Sequence, residues 1–362
     1  MKRIDADRHF GQSRRAVGRA FAGLAATALA VGRAEGYPGA GAPDAQPITG
    51  SGPSATAATS GRRPHVIVLN SRDATVSLID QDRRVEVGRV DVGKEPHHLL
   101  PTPDNRQLIV ACSASDELFL LDPSTGDVRT RLRRIDDPYQ LAFSPDQRWF
   151  VTAALRLDRL DIYRCDEGGK SVTGRIAVAK APSHLWFSAD NRHVFVTLQE
   201  SNEIAAVDVV TGQMIWRLPV GKQPAGIIMS PDDQLLYIGI MGEDHVEVVD
   251  WRAQRSVARI RTGAGAHNFR GVGDGRHLLV SNRVAGTVSV IDLETRAVVS
   301  EIAAAGGPDC IELADDRRTL WVTTRWNKQV SVLDLPSGNL LAQIPVGRSP
   351  HGVYLHNRAP LI

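Results

Sequence analysis

The sequence predicts an all-β fold, a seven-bladed β-propeller of four-stranded antiparallel blades, and three observations predict it. The first is a repeat. The position of the proline in "EPHH" recurs at Pro96, Pro138, Pro182, Pro224, Ala266, Pro308 and Pro350, at spacings of 42, 44, 42, 42, 42 and 42 residues. The second is the grammar of each unit, four short β-branched runs separated by Asp/Gly/Pro/Asn turns, which reads as four strands. Four strands in roughly 42 residues is the signature of a propeller blade. The third is that the ends complement one another. "HVIVLNSRDATVSLIDQDRRVEVGRVDVG" (65–93) supplies second, third and fourth strands without a first, and "PHGVYLH" (350–356) supplies a first strand alone. Joined, they make one composite blade beside six complete ones. Such closure leaves no open sheet edge for another chain to pair with.

Taken in order, the chain begins with an expected export signal over residues 1–34. A basic stretch containing Ser13-Arg14-Arg15 precedes the apolar run "AFAGLAATALAV" (20–31), with small-residue cleavage positions after Ala30 or Ala34. The run is too short to span a bilayer comfortably, so no transmembrane anchor is expected. The arginine pair resembles a twin-arginine signal, with general secretion as the alternative. Either places the mature chain in the periplasm or outside the cell. Residues 1–34 carry Lys2, Arg3, Arg8, Arg14, Arg15, Arg19 and Arg33 against Asp5 and Asp7, so a chain at +2 overall is left at about −3 without them. That acidic balance argues against nucleic acid as a partner. Residues 35–61 are rich in Gly, Pro, Ala, Ser and Thr and read as a disordered linker. The propeller is expected over residues 62–358, as a monomer.

Within the propeller, the second runs are "WFVTA", "HVFVTL", "LLYIGI", "HLLVSN" and "TLWVTT". The third runs alternate strictly, as in "TVSLID", "HVEVVD", "TVSVID" and "QVSVLD". The aspartate that ends them (Asp80, Asp208, Asp250, Asp292, Asp334) is expected to cap the turn that follows. With 32 glycines, 20 prolines and 5% aromatics, the composition suits many turns rather than long helices. The three cysteines, Cys112, Cys165 and Cys310, form no CxxC, so no zinc ribbon, redox pair or c-haem attachment is encoded. They read as partly buried thiols.

These units resemble the YVTN-repeat, YncE-like propeller family, whose pattern shows in "LVSN" with "TVSVID" (279–292) and in "FVTL" with "EIAAVD" (195–208). The resemblance covers about residues 64 to 357. It implies the fold far more specifically than a function.

In a propeller the innermost strand comes first, so the residues after each ring proline surround the mouth of the central channel. They read His97, Tyr139, Ser183, Ala225, His267, Asp309 and His351, followed one residue later by His98, Gln140, His184, Gly226, Asn268, Cys310 and Gly352. His267, Asp309, His351 and His97 fall on four consecutive blades. The neighbouring second-to-third loops bring Arg283, Arg325 and Arg72. The opposite half offers only Arg156 and His184. One side of the mouth therefore gathers imidazoles, a carboxylate and guanidiniums, though a histidine at such a position also serves simply to bond neighbouring backbone.

Three functions fit that set. A polar mouth suits a binding or scaffold protein that holds a small anionic ligand or a protein partner, with arginines pairing to carboxylate or phosphate. Alternatively, imidazoles suit a divalent metal or a haem, with His97, His267 and His351 as ligands. The chain also resembles, more distantly, the d1-haem propellers of cytochrome cd1 and their maturation factors, and that resemblance implies haem d1, a tetrapyrrole, bound by histidine at the mouth. A lactonase-like hydrolase is a third reading, without a distinctive motif, and no GxSxG supports a serine nucleophile. The binding role leads.

Overall fold

The structure is a computed structural model that describes residues 45–47, 65–166 and 169–361. The export signal expected over 1–34 lies outside the described residues, as does the linker expected over 35–61 apart from Ala45–Pro47. Every ring position opens an innermost strand: Pro96–Pro101 (blade 1), Pro138–Phe143 (blade 2), Pro182–Phe187 (blade 3), Pro224–Met229 (blade 4), Ala266–Gly271 (blade 5), Pro308–Leu313 (blade 6) and Pro350–Tyr354 (blade 7). Each leads a sheet of four antiparallel strands in sequence order. Blade 1 gains a short outer strand, Ala45–Pro47, paired with Val128–Arg133. Blade 7 is the composite: Pro350–Tyr354 pairs with His65–Asn70, in the register Ile67 to Tyr354 and Val68 to Val353. Neighbouring innermost strands touch all the way round, and Pro350–Tyr354 meets Pro96–Pro101 to close the wheel. Among the described residues the single helical turn is Ser113–Ser115, and no helix is long and apolar enough to cross a membrane.

Hydrophobic patterning explains the stacking. A second strand lies between two neighbouring blades, so both its faces are covered, and it is apolar without alternation: Val66, Ile67, Val68 and Leu69 are all buried. An outer strand such as Val85–Asp91 alternates exposed with partly covered residues. The closure has its own core, in which Val66, Val68 and Ile79 from one end of the chain and Val353 and Leu355 from the other pack around Trp321 of blade 6. Burying each such side chain is worth about 1.5–3 kcal/mol.

The turns carry the expected caps. Asp80 accepts from the N–H groups of Asp82 and Arg83, Asp208 from Val210 and Thr211, Asp250 from Arg252 and Ala253, and Asp292 from Glu294 and Thr295. Asp334 does the same toward Ser337.

Two backbone features aim side chains at the axis. The residue before every innermost strand has a left-handed conformation, from Glu95 (φ 56°) to Ser349 (φ 55°), which turns the chain sharply inward. Directly after the ring position the pairing register slips, as between Pro96 and His98, Ala266 and Phe269, and Pro308 and Ile311. Such a bulge frees the residues inside it from the ladder and re-aims their side chains.

Candidate functional site

The freed residues form a compact polar cluster at the hub. His97 stacks on His351 with ring centroids 3.7 Å apart and on Tyr139 at 4.0 Å. The rings of His98, His184, His267 and His351 meet edge to face in a closed circuit, with successive centroids 5.1, 5.5, 6.1 and 4.9 Å apart. His184, expected on the opposite half, thus joins the main group, because the hub is narrow enough for rings from blades 1, 3, 5 and 7 to touch.

The cluster is sealed where an open mouth was expected. None of the five histidines is more than 7% exposed, and Asp309 is 0% exposed. Asp309 is the anchor. Its Oδ2 accepts from Arg283 Nη2 at 2.9 Å and from Arg325 Nη1 at 3.2 Å. Its Oδ1 lies 3.0 Å from His267 Nδ1 and 3.3 Å from His351 Nε2. His267 is paired with Asp309 by the first approach; the approach of His351 is not aligned as a hydrogen bond. His351 Nε2, His97 Nδ1, His98 Nε2 and His184 Nε2 are all buried without a hydrogen-bond partner. Buried polar atoms are paired in nearly all native structures, so four orphans in one cluster call for an ion or a water.

Their donor atoms converge in two groups, His97 with His98 and His351, and His267 with Asp309 and His351. Within each group the donors lie within 4.8 Å of one another.

Electrostatics keep the rings in the metal-accepting form. Burial first, and then the His351 ring, pushes His97 and His98 well below the usual imidazole range. His184 is depressed by burial and then by His267, and His267 by burial and then by Arg283. Burial drives His351 down to about 3 although Asp309 pulls the other way. For Asp309 burial acts to raise the carboxyl, but Arg283 foremost among its neighbours outweighs it and holds the group well below the carboxylate range. At neutral pH the hub therefore contains a carboxylate, two guanidiniums and five uncharged imidazoles.

The two remaining arginines stand elsewhere. Arg72 occupies the blade 7 loop position equivalent to Arg283 and Arg325, but Asp309 on blade 6 is reached from the loops of blades 5 and 6. Arg72 lies exposed, with its backbone bonded to Arg348. Arg156 is drawn to a rim network, bonding Asp137 Oδ1 at 2.6 Å, Glu95 Oε2 at 3.2 Å and the Ser113 carbonyl. For Arg156 the nearer carboxylates and the Ser113 carbonyl hold the guanidinium at the rim.

Sulfur contacts went unnoticed in the sequence. Cys310 Sγ accepts from Asn268 Nδ2 at 3.2 Å and lies 3.5 Å from His351 Nδ1. Met241 Sδ is 3.4 Å from Arg283 Nη1. The signal was the period itself, since Met241 precedes Arg283 by one repeat. Burial pushes the Cys310 thiol up, so it is no free nucleophile.

A family model described as YNCE-like beta-propeller matches residues 24–361. No curated protein matches the chain. Among solved structures, the chain is similar to dihydro-haem d1 dehydrogenase NirN in complex with DHE, with a TM-score of 0.64 and 17% identity, over 83% of this chain and 77% of that one. It is also similar to a functionally unknown protein from Desulfotomaculum acetoxidans DSM 771, with a TM-score of 0.69 and 13% identity, over 82% of this chain and 99% of that one. At these identities the likeness concerns the fold alone. Repeat, closure and family model agree: the chain belongs to the YNCE-like β-propeller family.

Proposed function

We propose that this propeller is a binding protein whose hub holds a transition-metal ion, with His97, His98 and His351 as its ligands. The observation that carries this is that His97, His98 and His351 bring one donor nitrogen each to within 4.8 Å of the others, and that each of the three rings has a buried nitrogen without a hydrogen-bond partner. Neutral imidazole is the form that ligates a metal, and no proton has to be expelled from these rings first. Asp309 Oδ1, 3.3 Å from His351 Nε2, places a carboxylate beside this imidazole group.

The haem reading is weaker on this geometry. Ring centroids 3.7 to 6.1 Å apart leave no slot for a macrocycle among the imidazoles. The NirN likeness supports the fold and leaves the ligand to experiment. A hydrolase needs an accessible acid or base, and Asp309 is buried, with Arg283 and Arg325 both bound to its Oδ2. The basic and then apolar N-terminal segment supports export, so the site would be loaded in the periplasm or outside the cell.

The test is metal content and ultraviolet–visible spectrum of the purified chain before and after exposure to copper, zinc, cobalt or haem. About one ion per chain, absent from His351→Ala, is expected. A colourless, metal-free protein whose spectrum no additive changes would rule the reading out.

A further inference from the structure

The charge balance of the hub discriminates between ions. Arg283 and Arg325 both converge on Asp309 Oδ2. Neither guanidinium can shed its proton in a protein. Two positive charges against one carboxylate leave the hub with one in excess before any ion enters. On the adjoining rim Arg156 pairs with Asp137 and with the half-exposed Glu95, so the rim's one unbalanced carboxylate is screened by water and offsets the hub's excess only weakly. A second charge on the bound ion would add repulsion at close range and find no anionic ligand to offset it.

Arg283 acts in a second way. Its Nη2 sits 2.7 Å from His267 Nε2 and also binds Asp309, so it holds the pair that would complete a carboxylate-bearing site. That other group, His267, Asp309 and His351, has the mixed imidazole and carboxylate donors that divalent ions favour. With Arg283 in place, what stays open is the all-imidazole group of His97, His98 and His351. Soft sulfur borders the hub as well, through Cys310 beside His351 and Met241 beside Arg283.

Resting on the metal-binding reading above, we propose that the hub selects a monovalent, imidazole-seeking cation, cuprous copper, over divalent ions, and that Arg283 and Arg325 set this preference. Three uncharged nitrogen donors satisfy Cu(I) without a counter-charge, whereas Zn(II) or Co(II) in the same cage faces two fixed guanidiniums.

The experiment uses the purified propeller in oxygen-free buffer with ascorbate. Cu(I) is competed against bicinchoninate, and Zn(II) and Co(II) against chelators of known affinity. The wild type should bind one Cu(I) per chain and prefer it to Zn(II) by at least about 100-fold. Arg283→Gln, which removes the charge and releases His267, should narrow that ratio about tenfold or more by gaining Zn(II) affinity. Arg283→Lys, which keeps the charge, should retain most of the preference. Thermal melts of both variants identify any that fail to fold, in which case Arg325→Gln takes the place of Arg283→Gln. Zn(II) or Co(II) bound as tightly as Cu(I), or a ratio that no charge-removing variant changes, overturns the selectivity while leaving metal binding intact. A wild type that takes up no ion removes both.

Discussion

His97 and His351 come from opposite ends of the propeller chain and stack with ring centroids 3.7 Å apart, 35° from parallel. The contact ties blade 1 to the composite blade, so the same rings that offer nitrogen to a ligand also help latch the wheel. A double-mutant cycle on His97→Ala and His351→Ala in metal-free protein should give a coupling of about 0.5–1.5 kcal/mol by urea denaturation. Additive losses would mean that the stack contributes nothing to closure.

Asp309 should matter more to stability than any single imidazole. Its carboxylate is the shared partner of Arg283 and Arg325, and Asp309→Asn leaves two guanidiniums facing a neutral amide in a buried site. The expected loss is about 3–5 kcal/mol, read from the denaturation midpoint. A loss under about 1 kcal/mol would show that the arginines relax into solvent without cost.

Acid should unfold this protein early. The hub histidines have folded-state pKa values below their unfolded value of about 6.5, so the unfolded chain takes up protons first as the pH falls. Their contribution is complete above about pH 6.5 and is lost progressively on acidification, at about 1.4 kcal/mol per pH unit for each histidine. For His351 the loss continues to about pH 3. Asp309, also depressed, adds to it below the ordinary carboxylate range. Urea midpoints measured between pH 8 and pH 4 check this, and a flat profile would mean the rings are protonated or solvated in the folded state.

The architecture was legible because it repeats. A period of 42 residues fixed every inner strand at its first residue, and the complementary ends showed how blade 7 closes. The ring positions were legible for the same reason, which is why His97, His267, Asp309 and His351 could be placed together. Depth was not. Whether a ring residue lines an open mouth or fills a closed hub depends on the channel radius and on neighbouring bulk, and no local pattern encodes either. Hence His184 seemed remote and proves to touch His98 and His267. Arg72 and Arg156 had the right loop position, but Asp137 and Glu95 take Arg156, and Arg72 lies exposed.

Gly226 explains how blade 4 makes room for the site. A Cβ there would lie 2.2 Å from the His267 carbonyl oxygen and 3.1 Å from Phe269. Gly226→Ala should push the blade 5 inner strand outward, lowering stability by about 1–3 kcal/mol, while an ion held by His97, His98 and His351 stays bound. Loss of the ion would show that His267 and its strand belong to the working site.

Ion binding at the hub is read out by X-ray absorption at the metal edge combined with metal content, on wild type and on the triple variant His97→Ala, His98→Ala, His351→Ala. One ion per wild-type chain with imidazole nitrogen as its protein ligand is expected, and none in the triple variant. An ion-free wild type after exposure to copper, zinc and cobalt, or an ion retained by the triple variant, would contradict it.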